Sequence, residues 1–150
     1  MHVALSSSTT IATVEAPERL GFVDLTPLLE REITSAGDGF AIAFSRHTTC
    51  ALVVNELEDG VARDLKARLD HLFPPSIYYA HDDLTIRTQN LQEGERANGH
   101  SHVAQMLMGG TSQTIPIANG ELMLGRWQRL LLVELDEPKP REVVFQVYSA

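Results

Sequence analysis

Near the end of the chain two β-branched runs, Trp127–Leu135 and Glu142–Tyr148, are held apart by Pro138-Lys139-Pro140. Proline cannot donate to a strand ladder, so neither strand contains this tripeptide, and the segment is predicted to form an antiparallel hairpin. Comparable runs at Thr9–Val14, at Phe40–Phe44 continuing after a short break into Cys50–Val54, and at Thr111–Ile117 predict further strands. Helical patterns lie between them. Thr26 before Pro27 reads as an N-cap followed by proline at the first helical position, with Leu28, Leu29 and Ile33 on one side and Gly37 as the stop. From Glu58 to Phe73, Val61, Leu65, Leu69 and Leu72 recur at helical intervals, with Arg63, Asp64, Lys66 and Asp70 opposite, until Pro74-Pro75. A third, shorter helix is capped by Ser101 and runs through Val103, Met106 and Leu107 to Gly109. Strands grouped without a regular βαβ alternation predict an α+β fold of mainly antiparallel sheet with two or three helices, one domain over 1–150. Their order leaves the sheet topology open.

A 150-residue chain buries about 68–70% of its unfolded surface and needs no disulfide or structural metal to hold a core. Its single cysteine, Cys50, has no intrachain partner and opens an apolar run, where it reads as a small buried hydrophobe. No apolar run approaches the roughly 18 residues of a membrane span, and Met1–Thr10 has neither a basic nor an apolar leader region, so the expected location is the cytoplasm. Twelve Lys and Arg against 20 Asp and Glu give a net charge of −8. That balance argues against nucleic acid as a partner, because such affinity comes from cationic side chains that release counterions.

Histidine carries the candidate chemistry. His47 lies in Arg46-His47-Thr48-Thr49 between two strands, His81 heads His81-Asp82-Asp83, and His100 and His102 flank Ser101. Neutral imidazoles ligate zinc and similar ions, and three of them with an open position would activate water or polarise a phosphate. Asp82 or Asp83 could act as a ligand or support one. No His-x-x-x-His occurs, so a metal site would be assembled from distant loops. His100 and His102 fall about 200° apart on a helix, so only one of them can face a shared site. Glu58 and Asp59 complement the dipole of the long helix, whereas Asn55 and Glu56, at a strand end, are open to a functional role. Gly109-Gly110 is a helix stop or a backbone nest. Strand alternation points Glu134 the same way as Leu132, which makes it either a paired structural acid or a site residue.

His47-Thr48-Thr49, Asn55-Glu56, Tyr79-x-His81-Asp82, Asn98-Gly99-His100-Ser101-His102, Gly120, Gly125-x-Trp127-Gln128 and Glu134, in this order and spacing, resemble the YjbQ-like family. The resemblance implies a compact α+β homotrimer with a secondary thiamine-phosphate synthase activity, a transferase reaction that joins a pyrimidine diphosphate to a thiazole phosphate and releases pyrophosphate. It also implies a polar cluster of His47, His81 and His102, with Asn55 and Glu134 nearby; His100 is less firmly part of the pattern. His47, His81 and His102 are thus the expected ligands of a divalent metal, zinc or similar. His47, His102, Asn55 and Glu134 are the expected catalytic groups, acting on a phosphorylated small molecule. The alternative is a trimeric metal- or ligand-binding protein whose synthase activity is incidental. At a charge of −8, anionic substrates require Arg46, Arg87 or Arg126 to focus positive potential locally.

Overall fold

The computed structural model describes residues 6–34 and 36–150. The part of the leader reading that falls on Met1–Leu5 lies outside them. Two antiparallel sheets carry the architecture. Strands β1 (Ser6–Val14), β3 (Gly39–Ser45), β5 (Ser112–Ala118), β6 (Glu121–Leu122) and β8 (Arg141–Ser149) form a five-stranded sheet in the order β1-β8-β3-β5-β6. Strands β2 (Phe22–Asp24), β4 (Cys50–Glu56) and β7 (Gln128–Glu134) form a second sheet in the order β2-β7-β4. Ala41, Ala43, Ile115, Val143 and Phe145 of the larger sheet meet Cys50, Leu52, Leu130 and Leu132 of the smaller one in a single core. Helix α1 (Thr26–Glu32) adds Leu25, Leu29 and Ile33 to it.

The other face of the smaller sheet is also covered. Ala51 and Val133 pack with Leu69 of helix α2 (Asp59–Leu72) and Ala104 of helix α3 (Gly99–Met108). Burial on both faces explains why Leu130–Val133 is an unbroken apolar run rather than an alternating one. Among the described residues the outer face of the larger sheet has no such cover, and β8 accordingly alternates between buried and more exposed residues.

The expected closing hairpin is overturned, because β7 and β8 belong to different sheets. The segment holding Pro138-Lys139-Pro140 does not fold β8 back onto β7 but carries the chain from one sheet to the other. The break between β3 and β4 does the same. Proline reports a turn, but not the sheet that the next strand joins. Both crossings lie at one end of the sandwich, where the Leu135 amide donates to the Thr49 carbonyl at 3.2 Å.

Two helix starts differ from expectation. Leu25, not Thr26, occupies the N-cap of α1. Asp24 Oδ1 instead accepts the Thr26 amide at 2.9 Å, and Thr26 Oγ1 accepts the Leu130 amide. Ser101 lies inside α3, whose N-cap is Asn98; its hydroxyl donates to the Leu135 carbonyl at 2.6 Å. Glu58 caps α2 by accepting the Gly60 and Val61 amides. Gly109 ends α3 in the left-handed region at φ 64°, and a Cβ on Gly110 would strike the Leu52 carbonyl at 2.7 Å. The glycine pair is therefore a helix stop that lets the chain run close against β4.

Candidate functional site

The end of the sandwich at which both connections cross holds a cavity of about 530 Å³, lined by His47, His81 and His102 together with Arg46, Arg87, Lys139, Arg141 and Glu95. His47 comes from the β3–β4 crossing, His81 from a short 3-10 turn at Ala80–Asp82, and His102 from the first turn of α3. The three histidines selected in the sequence thus share one cleft. His81 and His102 lie ring against ring, with centroids 4.4 Å apart. Helix α3 is held at this place from two sides: Asp82 Oδ1 accepts the Asn98 and Gly99 amides at 2.9 Å each, and Ser101 is tied to β7. A side chain on Gly99 would collide with Tyr79 Cβ at 2.6 Å, so only glycine lets the helix start this close to the 3-10 turn. Asp82 thus caps α3, and Asp83 closes its own turn through Thr85 and Tyr78.

His100 and His102 part as the helical spacing requires. His102 lines the cleft, whereas His100 is 6% exposed, lies 6.2 Å from the Tyr79 ring and has an Nε2 with no hydrogen-bond partner among the described residues. Burial lowers the basicity of His47, His100 and His102 below the ordinary imidazole value, with Arg141 adding to the effect at His47, Arg19 at His100 and His81 at His102. His47 Nε2 accepts the Glu142 amide at 2.8 Å, which places the proton of its neutral ring on Nδ1.

Beneath the histidines lies an ion pair. Glu134 and Arg141 are 0% and 2% exposed and bond twice, one contact being Arg141 Nε to Glu134 Oε2 at 2.7 Å. Arg141 Nη2 also donates to Thr49 Oγ1 at 3.0 Å and to the Thr49 carbonyl at 3.2 Å. Arg141 thus ties the two sheet crossings together, and the next residue, Glu142, supplies the amide that orients His47. Of the two roles open to Glu134, the geometry shows the paired acid. Arg141 itself was not singled out in the sequence; the inward carboxylate, which must find a cation, was the signal that could have led to it. Asn55 is not brought to the cleft: it faces Arg129 across the sheet, five residues along β4 from Cys50, or about 16 Å away. Cys50 is buried within hydrogen-bonding distance of Ser45, and burial raises its thiol pKa, as a packing role requires.

Residues 10–150 match the family described as UPF0047 protein YjbQ-like. The chain belongs to this family. A UPF0047 protein of Archaeoglobus fulgidus is 34% identical over 132 residues, covering 88% of this chain and 94% of the relative. One from Methanothermobacter thermautotrophicus is 32% identical, covering 83% and 80%. Among solved structures, an uncharacterized YjbQ/UPF0047 protein of Clostridium acetobutylicum is similar with TM-score 0.76 and 31% identity over 92% of this chain and 98% of that one. A protein of unknown function from Sulfolobus solfataricus shares the fold, with TM-score 0.84 and 24% identity over 98% and 100%. YjbQ-like membership fixes the fold and leaves the chemistry to be argued from the cleft.

The expected metal does not fit the donors as they stand. Among the described residues no group of three or more His, Cys, Asp or Glu side chains is arranged to hold an ion. The His47 Nε2 lone pair is taken by a backbone amide, and His81 Nε2 faces the Arg87 guanidinium at 3.3 Å, where a cation already stands. Arg87 is in turn held by Glu95, whose carboxyl it keeps below the usual range. No described helix is long and apolar enough to cross a membrane.

Proposed function

We propose that this cleft is the active site of a small-molecule enzyme that binds a phosphorylated substrate through its cations and donates hydrogen bonds to its departing phosphate from His47 and His102. The observation that carries this reading is the meeting of three imidazoles with Arg46, Arg87, Lys139 and Arg141 in one cavity of a chain whose net charge is −8. Such a lining gathers guanidinium, ammonium and imidazole N–H donors around one space, where a phosphate can accept them. A neutral imidazole keeps one N–H, on Nδ1 in His47, with which it can donate to a phosphate oxygen. The reaction class is the transferase step of secondary thiamine-phosphate synthase, in which the thiazole nitrogen lone pair forms the new C–N bond as the C–O bond to pyrophosphate breaks, and the leaving charge is met by the arginines and the imidazole N–H groups. The protein works in the cytoplasm as a homotrimer, without nucleic acid or membrane. The competing reading is a ligand-binding protein, favoured by the pairing of Arg46, Arg87, Lys139 and Arg141 with carboxylates of the same chain.

Calorimetric titration with pyrophosphate tests the anion site. Arg46 is 54% exposed and, among the described residues, paired only with Glu142, so Arg46→Gln leaves the fold intact. It should weaken binding about 10-fold, as loss of a charged hydrogen bond does. Repeating the titration after chelation, with elemental analysis, tests the metal: a divalent cation would enter only if His47 released Glu142 and His81 released Arg87. Absence of pyrophosphate binding would reject the reading.

A further inference from the structure

Beside the cleft lies a second cavity of about 290 Å³, which shares Gln92, Glu95, Asn98 and Lys139 with it and is completed by Asp136, Glu137 and Arg96. The two cavities differ in sign. Four cations and one carboxylate line the cleft, whereas the second cavity has the carboxylates of Glu95, Asp136 and Glu137 against Arg96 and Lys139. Pairing within the chain does not erase this difference, because two of the ion pairs run from one cavity to the other. Arg87 lines the cleft and bonds Glu95, which borders both cavities; Lys139 borders both and bonds Asp136, which lines the second. Each pair is a dipole with its positive end toward the cleft and its negative end toward the second cavity. Both dipoles are fixed by further bonds. Arg87 also donates to the His81 and Asn90 carbonyls at 3.0 Å each, Glu95 accepts the Gln92 amide at 3.1 Å, and Asp136 accepts Asn98 Nδ2 at 3.2 Å.

We propose that the second cavity holds the nucleophile, a neutral nitrogen heterocycle, with Glu95 as the catalytic carboxylate beside the nitrogen that becomes cationic. The proposal rests on the cleft being a phosphate-binding transferase site and adds the seat of the second reactant. The transfer separates charge along the line of the two dipoles. As the C–O bond breaks, its electron pair leaves with pyrophosphate on the cleft side. As the C–N bond forms, the ring nitrogen gives up its lone pair and turns positive on the Glu95 side, and no proton moves. Groups already fixed along that line stabilise the transition state without reorganising. The space suits one substituted ring, since a cavity of about 150 Å³ already admits benzene. A phosphate carried by the ring falls to Arg96, whose side chain is 73% exposed.

Equilibrium binding of small probes tests this without any assay of turnover. With pyrophosphate saturating, N-methylthiazolium and thiazole are titrated by calorimetry at neutral pH, where the first is a cation and the second is neutral. The expected result is about 10-fold tighter binding of the cation, as a carboxylate a few ångströms away gives at intermediate dielectric. Glu95→Gln should remove most of that preference. Glu137→Arg, at a side chain 52% exposed and so compatible with the fold, should reverse it while pyrophosphate affinity stays within a few-fold of the parent. The proposal is overturned by no saturable binding of the cation, by equal affinity for the two probes, or by a preference that survives both substitutions. Pyrophosphate titration of the parent alone reads the cleft. Failure there rejects the proposed function and this inference together, whereas pyrophosphate binding without a preference for the cation rejects this inference only.

Discussion

The two ends of the β4–β7 strand pair differ in how far each is completed by its own chain. At the cleft end, polar groups are buried and matched: Glu134 and Arg141 pair in the interior, Thr49 is held by Arg141, and Ser101 by Leu135. At the other end Trp127, Leu57 and Asn55 stand exposed. Polar residues went inward where two sheet crossings had to be tied together, and apolar residues stayed outside where no element of the same chain covers them. Polar burial of this kind fixes geometry, since a buried charge without its partner is costly. Exposed apolar surface has the opposite meaning and points to association. Leu130 and Leu132 are fully buried core residues and offer nothing to a neighbour, and Val144 is half-buried on the outer face of the larger sheet.

Removing one carboxylate from each end gives the sharpest contrast. Glu134→Ala leaves Arg141 buried and unpaired and should cost about 3–5 kcal/mol, lowering Tm by about 10 °C at about 2–4 °C per kcal/mol. Glu56→Gln, which breaks no described ion pair, should stay within about 0.5 kcal/mol. Thermal denaturation of both variants checks this, and similar losses at the two ends would break the comparison.

A smaller effect separates the two histidines of α3. Burial holds His100 neutral, so its folded pKa lies below the unfolded 6.5 and the unfolded chain binds the extra proton. Its contribution is fully present above pH 6.5 and is lost as the pH falls through the folded value. Stability should fall with pH in that window, with a slope no steeper than about 1.4 kcal/mol per unit for one proton. His100→Gln should flatten it, while leaving pyrophosphate affinity within a few-fold because His100 does not line the cleft. Urea melts between pH 7.5 and 5 measure the slope; an unchanged slope in the variant would remove His100 as its source.

How much of this was legible in the sequence follows from the range of each signal. Helix α2 was clear because Val61, Leu65 and Leu69 repeat within a few turns, and the stop at Gly109 because left-handed backbone favours glycine. The separation of His100 from His102 followed from helix geometry alone. Strands β2 and β6, three and two residues long, are too short to show a period. The assignment of β7 and β8 to different sheets depends on contacts far away in the chain, and the local Pro-Lys-Pro signal is compatible with either outcome. The three cleft histidines were found by their residue type and family pattern. Arg141 was missed because an arginine at the start of a strand resembles any surface cation until Glu134 is seen beneath it.

The central claim is that His47 and His102 act on the departing phosphate in the cleft rather than merely line it. The rate of thiamine-phosphate formation in the parent, His47→Ala, His102→Ala and Cys50→Ala, compared at matched folded fraction, tests it most directly. The account predicts a loss of about 10²-fold or more for each histidine variant, the size expected for a missing donor to developing negative charge, with Cys50→Ala close to the parent. Equal rates in the parent and both histidine variants would contradict it.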